Sequence, residues 1–238
     1  MDQLHKFLFE GLPVRGMLVR LTDSWQALCQ RRDPQHGGAG LWPSEVQNLL
    51  GQMAAAGVLM HANIKFDGAL VLQIQGDGPV PLAVCEVRPG LQFRATATVR
   101  GEVPSGAGLA QLTNASGKGR CAITLDPQDR APGQQPYQGV VPLHGDQREP
   151  LHQLSEVLEH YMLQSEQLDT RLVLAANDQV AAGLLIQRLP VEGEGNLAGR
   201  HREDDIGLSE GFNRIAHLAA TLTPQELDTV VSSDEFPE

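Results

Sequence analysis

His152, Glu156 and His160 are spaced four residues apart, which puts their side chains on one stripe of a helix. Two imidazoles and a carboxylate so placed could hold a zinc-like ion. The stronger reading is a solvated helix face, because Leu151, Leu154 and Leu158 claim a different face of the same segment for the core. Gly117-Lys118-Gly119 is not a phosphate loop: Leu112 stands where the leading glycine belongs, and Gly119 where a Ser or Thr should be. Gly106-Ala107-Gly108 lacks a GxGxxG continuation, and HExxH does not occur. Asp67 and Glu102 are acidic, but no pattern brings them together. Cys85 and Cys121 lie in alternating apolar segments, as small buried hydrophobes do. Cys29 is expected to be more exposed, without a neighbouring cysteine to resolve a disulfide. Nothing in these residues asks for an enzyme.

The elements that would position them are legible around one stretch. Leu70, Leu72 and Ile74 alternate with Val71, Gln73 and Gln75, the period of a half-buried strand. Gly76-Asp77-Gly78 can supply the positive φ values of a tight turn, and the apolar run Pro79 to Val87 returns as a second strand. Trp42 to Asn63 precedes them as a helix whose Ala54-Ala55-Ala56-Gly57 section suits close packing, with burial on more than one face. Later strands are expected at Leu91–Arg100, around Cys121–Leu125 and at Tyr137–His144, as additions to this hairpin. Leu91, Phe93, Ala95, Ala97 and Val99 take one face of the first of these, so its other face meets water. Pro13 to Leu21 opens the chain as a strand, and Thr22 or Asp23 caps a short helix after it. Pro150 to Ser165 reads as a helix, and Arg171–Ala176 and Val180–Leu189 as a final strand pair with Asn177-Asp178 between them. The fold class expected is α+β, a mixed or antiparallel sheet core with packed helices, then a linker and a helical segment.

Composition narrows the function. The chain has 238 residues, 41% hydrophobic and 4% aromatic, so its core is aliphatic. A net charge of -11 argues against nucleic acid as a partner. From Pro190 onward there are 11 acidic against 3 basic residues, a composition shift that marks a boundary. The longest apolar run, Met53 to Met60, is far too short to cross a bilayer, so no membrane is expected. Three scattered cysteines and a start without an apolar leader fit a reducing cytoplasm.

The expected organisation is an α+β core over 1–189, then an acidic stretch over 190–238 that carries an amphipathic helix. Val191 to Asp205 reads as a linker. Ile206, Leu208, Phe212, Ile215, Leu218 and Leu222 recur at helical spacing, and nothing large enough follows to bury them. That face must dock on the first domain, a second protomer or a partner, and these six residues are the candidate binding set.

Several runs resemble the heat shock protein 33 family of redox-regulated bacterial chaperones. They include Ile64 to Val80, with its Lys-Phe-Asp-Gly and Gln-Gly-Asp-Gly-Pro, as well as Asp2-Gln3-Leu4, Phe7 to Glu10 and Val14-Arg15-Gly16. Tyr137 to Val141, Tyr161, Ser165-Glu166-Gln167-Leu168 and the Ala-Ala-Gly-Leu-Leu-Ile-Gln run ending at Gln187 add to the likeness. The resemblance implies an ATP-independent holdase for unfolded or misfolded client proteins, with a core domain, a metastable linker and a C-terminal zinc domain. In that family four cysteines, as Cys-x-Cys and Cys-x-x-Cys, hold the zinc and are the site of oxidation. Cys29, Cys85 and Cys121 match none of those positions, so no zinc is expected on this chain and its zinc domain is expected to be absent. Client binding is then expected without oxidation, through Ile206 to Leu222 and the surface they cover, with pairing into a homodimer as a further partner. The alternatives are a non-enzymatic interaction module whose final helix docks one specific partner, and a small-molecule enzyme on a mixed sheet, for which no pocket can be nominated.

Overall fold

Helix α2 (Ser44–Asn63) lies between two antiparallel sheets and touches strands of both. The computed structural model describes residues 1–130, 133–190 and 202–229, with backbone alone for 202–209 and 228–229. Strands β1 (Gln3–Leu8) and β2 (Val14–Leu21) open the chain, followed by helix α1 (Asp23–Gln30) and then α2. The predicted hairpin is β3 (Gly68–Gln75) and β4 (Leu82–Val87). β5 (Phe93–Thr98), the short helix α3 (Leu109–Thr113), β6 (Arg120–Pro127) and β7 (Tyr137–Pro142) follow. Helix α4 (Leu154–Glu166) precedes the pair β8 (Thr170–Ala176) and β9 (Ala181–Arg188), and helices α5 (Arg202–Ala219) and α6 (Pro224–Thr229) end the described chain.

The five-stranded sheet has the order β5-β4-β3-β6-β7, so the later strands do add to the hairpin on both sides. A second sheet of four strands, β1-β2-β9-β8, joins the two ends of the core, with Val14 opposite Arg188 and Leu21 opposite Ala181. Periodicity marks each of these strands but carries no information about such a distant pairing, and the second sheet was not expected.

Both faces of α2 are dehydrated: Leu50, Met53, Ala54, Ala55, Ala56 and Leu59 are completely buried. Small residues set the spacing. A Cβ on Gly51 would stand 2.4 Å from the Ala176 Cβ, and one on Gly57 would stand 2.9 Å from Val87 Cγ2. Gly51 thus meets the four-stranded sheet and Gly57 the five-stranded one. Polar ties fix the helix further, with Asn48 Nδ2 donating to the Ala176 carbonyl at 2.6 Å and His61 Nε2 3.0 Å from the Gly68 carbonyl.

Two local expectations are corrected. Neither Gly76 nor Gly78 adopts a positive φ. They are needed for close approach: a Cβ on Gly76 would stand 2.8 Å from the Thr113 carbonyl oxygen, and one on Gly78 would stand 2.6 Å from that of Leu112. The loop docks on the end of α3, where Asp77 Oδ2 accepts the amides of Ser116 and Lys118 at 3.1 and 3.0 Å. The first turn of α1 is not capped by its own Thr22 or Asp23. Asp2 supplies the carboxylate, accepting from the Thr22 and Ser24 amides at 2.7 and 3.3 Å.

Gly51→Val is expected to push α2 off the four-stranded sheet and cost about 1–3 kcal/mol. For a chain of this size that is a fall in melting temperature of roughly 2–4 °C per kcal/mol, readable by calorimetry. An unchanged melting temperature would mean that the helix is not held at this spacing.

Candidate functional site

Residue alternation divides the four-stranded sheet into two faces. Met17, Val19 and Leu21 of β2 and Leu185 of β9 join the main core with α2. Val14 and Leu18 of β2, with Val180 and then Ala182, Leu184 and Ile186 of β9, form a separate cluster on the outer face. β9 is buried on both sides, so its run Ala181 to Gln187 shows no alternation. An unbroken apolar run in an antiparallel strand signals a covered second face, and that signal in the sequence could have found this surface.

The described part of the chain that covers the outer face is α5 and α6. Phe212, Ala216 and Ala219 are buried at steps of four and three, Leu227 of α6 is fully buried, and Gly211 packs against Leu12. Of the six candidate residues, Phe212 is the buried anchor, while Ile215 and Leu222 are half-buried against the same cluster. Leu218 is 63% exposed and points away from it. The side chains of Ile206 and Leu208 lie outside the described residues. The helix starts at Arg202, within the stretch read as linker, and the rest of that stretch, 191–201, is outside the described residues too.

A buried amide ties the same sheet together from its inner, α2-facing side. Gln187 is wholly buried, and its Oε1 accepts from Arg15 Nε at 3.2 Å and Asn63 Nδ2 at 2.9 Å, while its Nε2 donates to Thr170 Oγ1 at 2.8 Å. One side chain thereby ties β2, α2, β8 and β9 together.

His152, Glu156 and His160 do not converge as ligands. His152 precedes α4, and Glu156 Oε2 accepts the amides of His152 and Gln153 at 2.7 and 3.1 Å, so this carboxylate caps the helix. That cap starts α4 at Leu154 rather than at Pro150. Among the described residues no group of three or more His, Cys, Asp or Glu side chains could hold a metal ion. Next to Phe212, Glu159 and His160 line a hollow of about 330 Å³. Burial pushes the Glu159 carboxyl up, opposed by the Leu172 amide at 2.7 Å and by Arg171.

All three thiols are free and buried, Cys29 included, which corrects the expectation that it would be more exposed. Burial raises the Cys29 thiol, although Gln47 Nε2 donates to its sulfur at 3.1 Å and works the other way. Cys85 and Cys121 are pushed up to about 12 by complete burial. Such thiols hold almost no thiolate at neutral pH, so they are poor nucleophiles.

Two sheets around a central helix, with the last helices laid over one outer face, is the fold of a class already known from a crystal structure. It is shared with the 33 kDa chaperonin (heat shock protein 33 homolog) of Thermotoga maritima, with a TM-score of 0.62 at 16% identity over 94% of this chain and 73% of that one. The family model described as Hsp33 protein matches residues 2–236, and the chain belongs to that family. The 33 kDa chaperonin of Chromobacterium violaceum is 44% identical over 226 residues, covering 95% of this chain and 66% of that protein. That of Methylobacillus flagellatus is 40% identical over 227 residues, covering 95% and 67%. The chain thus spans about two thirds of the length of the curated relatives it matches.

A carboxyl raised by burial stabilises the fold only while it is protonated, below its unfolded range, and that contribution is lost as pH rises through its folded value. Glu159→Gln keeps an acceptor for the Leu172 amide without the buried charge. The stability of this variant relative to the parent is expected to grow between pH 4 and pH 7 in urea titrations. The opposite slope would mean that the Arg171 contact outweighs desolvation.

Proposed function

We infer that this chain is an ATP-independent holdase that captures unfolding polypeptides on the outer face of its four-stranded sheet, in competition with its own α5. The observation that carries this reading is the continuous aliphatic face of Val14, Leu18, Val180, Ala182, Leu184 and Ile186, covered among the described residues by Phe212, Ala216 and Ala219 of α5 and Leu227 of α6. Such a face has no polar feature to select a sequence, which suits a binder of many unrelated chains. Family membership and the chaperonin relatives support the same reading. No chemical step is assigned, because holding a client requires only apolar surface and reversible cover.

Regulation in this reading is conformational. None of Cys29, Cys85 and Cys121 offers an accessible thiolate, so these 238 residues are expected to hold clients without an oxidation step. The three free thiols go with a reducing compartment such as the cytoplasm. Two uncovered faces would also pair with each other, giving a homodimer that clients then open.

The test is light scattering from a thermally unfolding client without ATP, with and without peroxide. Suppression of aggregation to the same extent in both is expected; suppression in neither removes the holdase reading, and suppression only after peroxide assigns a sensor role to one of the three cysteines. Ala216→Arg sharpens it, since burying that charge costs on the order of several kcal/mol and undocks α5. Dye binding to apolar surface should rise, and less chaperone should be needed per client. Raised dye binding with lost suppression would mean that the helix, not the sheet face, holds the client.

A further inference from the structure

A groove of about 880 Å³ opens between the sheets, where β1 and β5 diverge. Every residue from Gly90 to Thr96 lines it. A strand that meets a groove with consecutive residues presents its edge, since a face would contribute only alternate ones. β5 is the end strand of its sheet. Two hydrogen bonds fix which main-chain groups turn outward. The Gln92 carbonyl accepts the Arg88 amide at 2.8 Å on the β4 side, whereas the Ala97 carbonyl accepts Trp42 Nε1 at 3.3 Å from the opposite side. Main-chain direction alternates along a strand, so Phe93 and Ala95 share the orientation of Ala97. Their N–H and C=O groups face the groove, and among the described residues none has a partner.

Free edges are normally blunted. The edge of β8 is, because Glu159 takes the Leu172 amide; the edge of β5 is left open. Leu4, Val19, Leu21, Leu28 and Val58 give the groove an apolar floor. Leu91, at its lip, is held at φ 58°, an uncommon conformation for a bulky residue that persists only where the surroundings impose it. The rim is basic on an acidic chain. The Asp2 carboxylate is taken by the Thr22 and Ser24 amides, and Arg94 pairs with Glu86. Arg31 and Arg32 form no ion pair among the described residues. The Arg32 guanidinium lies 4.4 Å from the centroid of the Trp42 ring, and its buried Nε has no hydrogen-bond partner.

We propose that this groove takes an extended segment of unfolded polypeptide bearing carboxylates, which adds to β5 as a further strand through the main-chain groups of Phe93 and Ala95 while its acidic side chains meet Arg31 and Arg32. Main-chain pairing gives affinity for any extended chain, and the basic rim gives the preference among them. The proposal rests on the holdase reading and names a class of segment captured, at a site separate from the face under α5.

The experiment titrates the full chain into a fluorescein-labelled decapeptide of alternating valine and threonine with two glutamates, read by anisotropy. Two companions carry lysine in place of glutamate, or proline at alternate positions. Saturable binding of the glutamate peptide is expected, at least tenfold tighter than either companion, with at least tenfold slower hydrogen exchange at the Phe93 and Ala95 amides. Ala95→Pro removes an outward N–H at an edge position that accepts proline, and should weaken binding at least tenfold. Arg31→Glu combined with Arg32→Glu should reverse the preference toward the lysine peptide, and carries the test if Ala95→Pro does not fold. Binding indifferent to charge reversal and without amide protection overturns the proposal, and normal suppression of client aggregation in the same preparation leaves the holdase reading standing. Peptide binding as described with no suppression would instead uphold the groove and remove the holdase reading.

Discussion

The helix α2 must be accommodated by two sheets at once, and the rest of the molecule follows from that. A helix buried all round has no polar face to spend on water, so its side chains must match two surfaces of different shape. The sequence meets this with large residues where space allows, such as Leu50, Met53 and Leu59, and with Gly51 and the Ala54-Ala55-Ala56-Gly57 run where a sheet comes close. Gly183 repeats the device from the strand side, since a Cβ there would stand 2.9 Å from Leu59 Cδ1. Interiors packed this tightly tolerate little change in volume, so the two sheets are held in fixed relation by one rod.

The outer face of the four-stranded sheet is built to a different standard. It carries aliphatic side chains as the inner face does, yet its cover is α5 and α6, whose buried side chains among the described residues are Phe212 and Leu227 beside Ala216 and Ala219. Local opening draws on elements of low stability while the core stays intact. An inner face packed on α2 and an outer one under α5 and α6 suit the proposed use of the same strands as scaffold on one side and binding surface on the other.

Local pattern made most elements legible in the sequence. The β3–β4 hairpin, the alternation of β5 and the apolar density of α2 are all statements about neighbours in the chain. What periodicity could not supply was partnership at a distance. Nothing in Val14 to Leu21 says that its partner is Ala181 to Arg188, so the second sheet and the face it presents were not foreseen. Phe212 was legible because helical spacing picks out an apolar stripe, but the same stripe included Leu218, which faces solvent. The cap made by Glu156 and the close approach made by the glycines beside Asp77 were missed for a shared reason. Their roles depend on groups that only the folded chain brings near: two amides at the start of α4, and the carbonyls of Leu112 and Thr113.

The pairing of β2 with β9 also sets an order of events during synthesis. The five-stranded sheet draws on residues between Gly68 and Pro142 and can close as soon as they leave the ribosome. The four-stranded sheet needs Ala181 to Arg188, so β1 and β2, made first, must wait for nearly the whole core. Until then one flank of α2 and both faces of β2 stand open, and long-range closure of this kind is slow and prone to aggregation. A nascent chain of this protein therefore displays the kind of surface that its finished fold is inferred to recognise.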